Sequence, residues 1–229
     1  MLTGLDDYFS ECTDKGAIVG SWGFHSHMDF SHMTSQENNV WFFEQVFNFL
    51  RAFFGVVVPD NLEIITYNAS KRFEKKNLEQ QTFLDELMLI LKKVKEPLWT
   101  FRLNLGVIGF LRTAHDPDNP VHIRIQEPTS YIIWGGPDET GFQTFSIGYT
   151  LFSSQTLEGE HQMLWSMNQP LIERALRRWE DQTGYMIEVT DSNGNLPVTH
   201  YGFDKPKPPL KRGRPPAPRP NPPVGPQRR

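Results

Sequence analysis

The sequence predicts an α+β fold with a mainly antiparallel sheet and about three helices, followed by a disordered basic, proline-rich C-terminal tail. Three observations lead to this prediction. Three stretches carry apolar residues at helical spacing, and about six to eight short runs are typical of strands, mostly in hairpin order. The composition changes abruptly at residue 205. Because strands and helices do not alternate regularly, the pattern disfavours a doubly wound parallel sheet.

The first half of the chain is predicted to place two helices between short strands. The expected elements are, in order, a strand over 16–24, a helix from Asn38 or Asn39 to about Phe54, a strand at 62–66 and a helix from Asn77 to about Lys95. In each helix the apolar positions at helical spacing are expected to face the core. They are Val40, Phe43, Phe47, Leu50 and Phe54 in the first helix, and Leu84, Leu87, Met88, Leu91 and Val94 in the second. Phe42, Phe49 and Phe53 widen the apolar face of the first helix, so we expect it to be covered on most sides.

The second half is predicted to supply most of the sheet. Residues 98–105 and 121–126 alternate apolar and polar side chains, as half-buried strands do, with a rigid turn at DPDNP between them. Strands at 131–134 and 142–152 flank the turn-rich GGPDETG and are expected to form a hairpin. A helix is expected from about Gly159 to Thr183, with Pro170 able to kink or split it. Strands at 186–190 and 196–201 then form a second hairpin around Asn193-Gly194.

Charge divides the chain into two parts. The net charge is −4, but residues 205–229 hold eight lysines and arginines and no acid, which leaves −12 on residues 1–204. The same tail holds ten of the eighteen prolines, and it has too few large apolar residues to fold by itself. We therefore predict an acidic α+β globular domain over 1–204 and a disordered tail over 205–229. The domain should favour basic partners, and the tail acidic ones.

The cellular setting is predicted from cysteine usage and from the longest apolar run. Cys12 is the only cysteine, so no disulfide can form within the chain, and a free thiol suits a reducing, cytoplasmic location. The N-terminus lacks the basic and apolar regions of a secretory signal. The run from Val40 to Val58 is interrupted by charged and polar residues, so it predicts a buried core helix and no membrane span, with a membrane-surface helix as the alternative.

A histidine-rich segment is the first candidate for chemistry. If the first strand extends through it, His25, His27 and Asp29 point to one face, with His32 close behind, and could hold Zn²⁺. The segment resembles the HxHxDH element of metallo-β-lactamase-type hydrolases, which implies metal-dependent hydrolysis. Phe30 stands where that element has its last histidine, and no Gly-rich histidine motif follows. The alternative is a polar strand end with solvated histidines and no cofactor.

The tail contains the second candidate. Arg212, Gly213, Arg214 and Pro215 resemble the core of an AT-hook, which implies binding to A·T-rich DNA. A narrow A·T minor groove attracts arginine, and a glycine lets the backbone lie deep in the groove. Lys211 could reach a phosphate beside the core.

The same tail also fits a different kind of ligand. Arg212, Pro215 and Pro218 have the spacing of a class I ligand for an SH3-type domain, and a polyproline II segment docks on such a domain with little loss of entropy. A third interpretation is a non-specific, solubilising basic extension.

The sequence favours a non-enzymatic function. It contains no nucleophile elbow and no phosphate-binding glycine loop, and Cys12 lies among acids that would raise its pKa. In size, charge and α+β character the domain is similar, as a class, to bacterial immunity proteins. The leading hypothesis is therefore a protein that captures a basic protein partner through its acidic domain. The alternatives are a DNA-associated protein anchored by its tail and a metal-dependent hydrolase.

Overall fold

The computed structural model describes residues 20–67, 71–76, 78, 82–113, 116–136, 140–148, 152, 160–192 and 198–204. Residues 205–229 lie outside these ranges, and so do all the predictions that concern the tail. Cys12 and Asn77 lie outside them as well.

The fold is α+β, as predicted, with one large antiparallel sheet. Its seven strands are β1 (Gly20–His25), β2 (Val57–Thr66), β3 (Arg72–Lys75), β4 (Leu98–Thr113), β5 (Asp116–Trp134), β6 (Phe142–Ile147) and β7 (Glu188–Ser192). They lie in the order β3-β2-β4-β5-β6-β1-β7, and every neighbouring pair is antiparallel. β7 and β3 therefore form the two edges.

Three helices accompany the sheet, which confirms the expected number within the described ranges. They are α1 (Ser35–Ala52), α2 (Phe83–Lys93) and α3 (Glu160–Thr183). A small second sheet pairs β8 (Val198–Thr199) with β9 (Gly202–Phe203). None of the helices in this part of the chain is both long and apolar enough to cross a membrane.

The hydrophobic core lies on one face of the large sheet. One row across its strands consists of buried apolar side chains, namely Trp22, Phe145, Tyr131, Leu103 and Leu62. From α1, Phe49 stacks on Tyr131 with their ring centroids 3.8 Å apart, and Trp179 of α3 meets both rings edge-on. Aromatic pairs of this kind add to the stabilisation from burial alone.

A short polar relay crosses the aromatic core. The Tyr131 hydroxyl donates to Gln143 Oε1 at 2.6 Å, and the Gln143 amide donates in turn to Gln45 Oε1 at 2.9 Å. Burial raises the pKa of Tyr131 well above its ordinary value, so the phenol remains a donor. The relay satisfies polar groups that would otherwise be costly to bury.

The opposite face of the sheet, which we call the open face, has a different composition. Because strand side chains alternate, the residues between the core positions point to this side. The next row across the strands is polar and consists of Ser21, Ser146, Ser130, Asn104 and Asn61. Ser21 donates to Ser146 across the strands at 2.7 Å, and both side chains are buried, so the open face is not exposed to solvent at these two positions.

The first helix corrects two predictions. It begins at Ser35, not near Asn39, because Thr34 and Glu37 form a capping box that satisfies the first backbone N–H groups. Its buried face holds Trp41, Phe42, Val46 and Phe49, whereas the predicted core face of Val40, Phe43, Phe47, Leu50 and Phe54 is turned outward or only half-buried. Since the helix is apolar on most sides, spacing could not identify which side the sheet covers.

Other boundaries differ from the predictions as well. The second helix starts at Phe83 behind Thr82, not at Asn77, and Met88 on its predicted inner face is exposed. The residues of DPDNP belong to the start of β5, where a turn was expected, and β5 continues through both predicted strands to Trp134. Pro170 lies inside a single, unsplit helix.

The last predicted hairpin is wrong. β7 pairs with β1, and β8 pairs with β9, so the two segments around Asn193-Gly194 do not pair with each other. By contrast, the hairpin of β5 and β6 is confirmed by the pairing of Trp134 with Phe142.

Candidate functional site

The edge strand β7 is the part of the described fold best suited to contact another molecule. All five of its residues are exposed, and β1 is its sheet partner among the described strands. The outer side of β7 can therefore offer backbone N–H and C=O groups to an added strand. Among the described strands, β7 is therefore an exposed edge of the large sheet.

A β-bulge turns the acidic side chains of β7 toward the open face. Glu188 lies opposite Gly23, and Asp191 lies opposite Ser21, with a register shift between these pairs. Without the extra residue, side chains three positions apart would point to opposite faces. The bulge therefore places both carboxylates on one side of the edge.

The extra residue of the bulge, Thr190, joins β7 to the open face. Its hydroxyl lies 3.2 Å from the hydroxyl of Thr144 on β6. This contact reaches past β1, which lies between β6 and β7 in the sheet. It holds the bulge against the sheet.

The end of α3 positions the start of β7. Gly184 ends the helix in the left-handed region, at φ +72°, and its N–H donates to the carbonyl of Glu180. One oxygen of the Glu180 carboxylate accepts from the N–H of Ile187 at 2.9 Å, and the other accepts from the Tyr201 hydroxyl at 2.6 Å. Glu180 thereby ties β7 and the β8–β9 hairpin to the helix.

The electrostatics of Glu180 follow from these contacts. Partial burial raises the pKa of its carboxyl, but hydrogen bonds from Tyr201 and Ile187 and the nearby His200 outweigh burial, so the pKa lies below its ordinary value. The same hydrogen bond raises the pKa of the Tyr201 phenol. Glu180 is thus a structural anion behind the edge, whereas Glu188 and Asp191 face outward.

Charge is distributed unevenly along the described chain. The described residues of 160–204, which include α3 and β7, hold seven acids and three arginines. The described residues of 71–113, which include β3 and α2, hold nine lysines and arginines and four acids. The described residues of 160–204 therefore carry a net negative charge, to which Glu188 and Asp191 of β7 contribute.

The predicted metal-binding segment, residues 25–32, begins where β1 ends, so its candidate ligands do not lie along one strand. β1 ends at His25, and His27 has a positive φ of 50°, so the alternation assumed for His25, His27 and Asp29 does not continue. The rings of His25 and His27 stack at 6.2 Å, and His25 also packs on Phe142. The premise of a continuous strand is wrong because the chain turns after His25.

The carboxylate and the last histidine of this segment have local roles. Asp29 accepts from the hydroxyl of Ser31 at 2.5 Å and from its N–H at 2.9 Å. These two bonds, together with His32, lower the pKa of Asp29. Across the described ranges no three His, Cys, Asp or Glu side chains are grouped so as to hold a metal ion. The Zn²⁺ site stays a prediction to which the geometry adds nothing.

The other predicted site residues are in the tail. Lys211, Arg212, Gly213, Arg214 and Pro215 of the AT-hook-like core, and Pro218 of the SH3-type pattern, lie outside the described residues. Both interpretations of the tail stay predictions.

Sequence reasoning missed the β7 edge because it assigned the segment to a hairpin. A signal was present, since Val189 is the only apolar residue in Glu188–Ser192 and an edge strand exposed to solvent needs little apolar alternation. A comparison with protein-family models, characterised proteins and solved structures finds no match to this chain.

Proposed function

We propose that this protein is a non-enzymatic binding module that captures a basic, extended segment of a partner protein along β7. The observation that carries the proposal is the exposed edge strand with Glu188 and Asp191 turned to one side by a bulge. The partner segment adds a strand to the sheet, and its lysines or arginines meet the two carboxylates.

Backbone pairing and charge make different contributions to this mode of binding. The hydrogen bonds of an added strand supply affinity independent of sequence, and the carboxylates select a basic segment. The acidic residues of α3 and β7 also raise the association rate by attracting the partner from solution. The similarity in size and charge to immunity proteins, as a class, supports an inhibitory capture of this kind.

The test uses the full chain and an extended peptide of alternating lysine and valine as the probe. We expect the association rate to fall steeply with added salt. The double variant Glu188→Lys/Asp191→Lys should slow association at low salt by about tenfold or more. The control, Glu74→Lys/Asp85→Lys, changes the net charge by the same amount at exposed positions on β3 and α2 and should retain most of the rate.

A second probe separates strand addition from simple charge attraction. The same peptide with alternate backbone nitrogens methylated keeps its charges but cannot donate hydrogen bonds along one edge, so it should bind at least about tenfold more weakly. Association that does not respond to ionic strength, or equal losses in the two double variants, would rule out the proposal. Equal binding of the methylated peptide would exclude strand addition.

A further inference from the structure

The outward face of α1 carries an apolar stripe that the described part of the protein covers only in part. Val40, Phe43, Phe47 and Leu50 follow one another at spacings of three, four and three residues. Val40 is 50% exposed and Phe47 39% exposed, while Phe43 and Leu50 are half-buried against the core. Just beyond the end of the helix, Phe54 is 72% exposed. Large apolar side chains grouped on a surface indicate an interaction site.

The spacing of this stripe matches the contact surface between two packed helices. Alternating steps of three and four residues are the pattern of a seam between two helices, since each step keeps the next side chain on the same side. The rings of Phe43 and Phe47 lie parallel at 6.4 Å, one turn apart on this seam. A second helix laid along α1 fits a stripe of this spacing.

Two charged residues beside the seam indicate that the second helix is α1 of another copy of this chain. Glu44 and Arg51 are both exposed, and they lie seven residues apart, so they occupy the same flank of the seam. If a second helix of the same sequence runs antiparallel, a twofold axis near Phe47 brings Glu44 of each copy toward Arg51 of the other. Two opposite-charge pairs then form, and parallel packing forms neither in register.

A neighbouring cleft extends the same surface. It has a volume of about 800 Å³ between α1 and α2, and Val40, Phe43 and Met88 line its apolar part. Lys92 and Lys95 line it as well, and Glu44 is the only carboxylate among its lining residues in the described structure. Met88 is 37% exposed, so apolar surface continues from the seam of α1 onto α2.

We propose that this face is a homodimer interface, in which α1 packs antiparallel against α1 of a second copy along Val40, Phe43, Phe47 and Leu50. The interface uses no residue of β7, so it is independent of the proposed capture of a basic segment. A twofold arrangement closes on itself and yields a dimer rather than a filament.

Sedimentation equilibrium of the full chain tests the proposal. We expect a monomer–dimer equilibrium, and Phe47→Asp should raise the dimer dissociation constant by at least about a hundredfold because the side chain is used twice. Val189→Asp is the matched control, since Val189 on β7 is also 39% exposed, and it should leave the dissociation constant unchanged. Thermal unfolding of both variants confirms that each remains folded.

A charge exchange tests the antiparallel geometry. Glu44→Arg and Arg51→Glu, each alone, place like charges together at both contacts and should weaken the homodimer. A mixture of the two single variants restores both opposite-charge pairs, so it should form a heterodimer more tightly than either variant forms a homodimer. A chain that remains monomeric at about 100 µM overturns the proposal. A dimer that survives Phe47→Asp, or a mixture with no gain, overturns it too.

Discussion

Gly23 allows β1 and β6 to lie close together beside the edge strand β7. A Cβ built on this glycine would lie 2.2 Å from the carbonyl oxygen of Gln143 on the neighbouring strand. The obstacle is backbone, so it cannot move aside as a flexible side chain would. Gly23 also pairs with Glu188, so the same residue sets the position of an acidic side chain of β7.

We expect Gly23→Ala to lower the free energy of unfolding by about 3 kcal/mol, at the upper end of the cost of overpacking. Gly136→Ala is the control, because Gly136 is also buried but its nearest contact for a Cβ is an ordinary 3.4 Å. Urea denaturation of both variants measures the difference. If the two substitutions lower the free energy of unfolding by the same amount, the close contact between β1 and β6 is not the reason that position 23 requires glycine.

At the scale of elements, the two N-terminal helix caps differ in a way that can be measured. Thr34 accepts a hydrogen bond from the N–H of Glu37 at 3.2 Å, and Glu37 accepts one from the N–H of Thr34 at 2.8 Å. At α2, the Thr82 side chain makes no capping hydrogen bond to the helix backbone. The first helix therefore has a side-chain cap on its backbone, whereas the Thr82 hydroxyl at the start of the second helix lies 3.5 Å from the Glu86 carboxylate.

We expect Thr34→Ala to destabilise the protein by about 1 kcal/mol, the usual effect of losing a cap. Thr82→Ala changes the same atoms at the corresponding position of α2 and should cost clearly less. Unfolding midpoints in urea, compared at constant slope, give both values. An equal loss in the two variants would contradict the role of the capping box.

The role proposed for β7 depends on its neighbours in the sheet, which set its position and the direction of its side chains. Its sequence is short and polar, and its polar character alone does not distinguish it from a loop. Its position at the edge comes from pairing with β1. The β1 residues lie more than 160 positions before the β7 residues with which they pair. The bulge at Thr190 then decides which way the carboxylates point.

At the scale of the whole molecule, the distribution of charge separates two possible ligand classes. The described residues of 160–204 hold more acids than arginines, while the +8 segment over 205–229 follows Asp204 in the chain. The two parts attract ligands of opposite charge. The DNA hypothesis therefore depends on the tail alone, and the protein-capture proposal depends on the folded domain.

We expect a chain that ends at Asp204 to lose its binding to A·T-rich DNA completely. Arg214→Ala should weaken binding to A·T-rich DNA more than Arg228→Ala does, because both remove one charge but only Arg214 belongs to the Arg-Gly-Arg-Pro core. Fluorescence anisotropy with A·T-rich and G·C-rich duplexes at fixed salt measures both effects. Unchanged binding by the shortened chain would exclude the tail as the DNA-binding part.

Several features of this protein could be derived from local sequence. The α+β class, the three helices and the β5–β6 hairpin each follow from periodicity and turn residues over short stretches. The helix starts were less accurate, since Thr34 and Glu37 compete with Asn38 and Asn39 as capping residues. In the histidine segment, nothing in the spacing of His25 and His27 reveals that the strand ends between them.

The sequence by itself determined the classes of element, the apolar stripe of α1 and the opposite charges of domain and tail, because periodicity and composition are local properties. Only the tertiary structure decided that Trp41 and Phe49 face the sheet while Val40 and Phe47 face outward, and that Glu188 and Asp191 share one side of an edge. These outcomes depend on which distant strands pair and on which side of a helix they cover. Packing between remote segments sets both, and local spacing does not encode it.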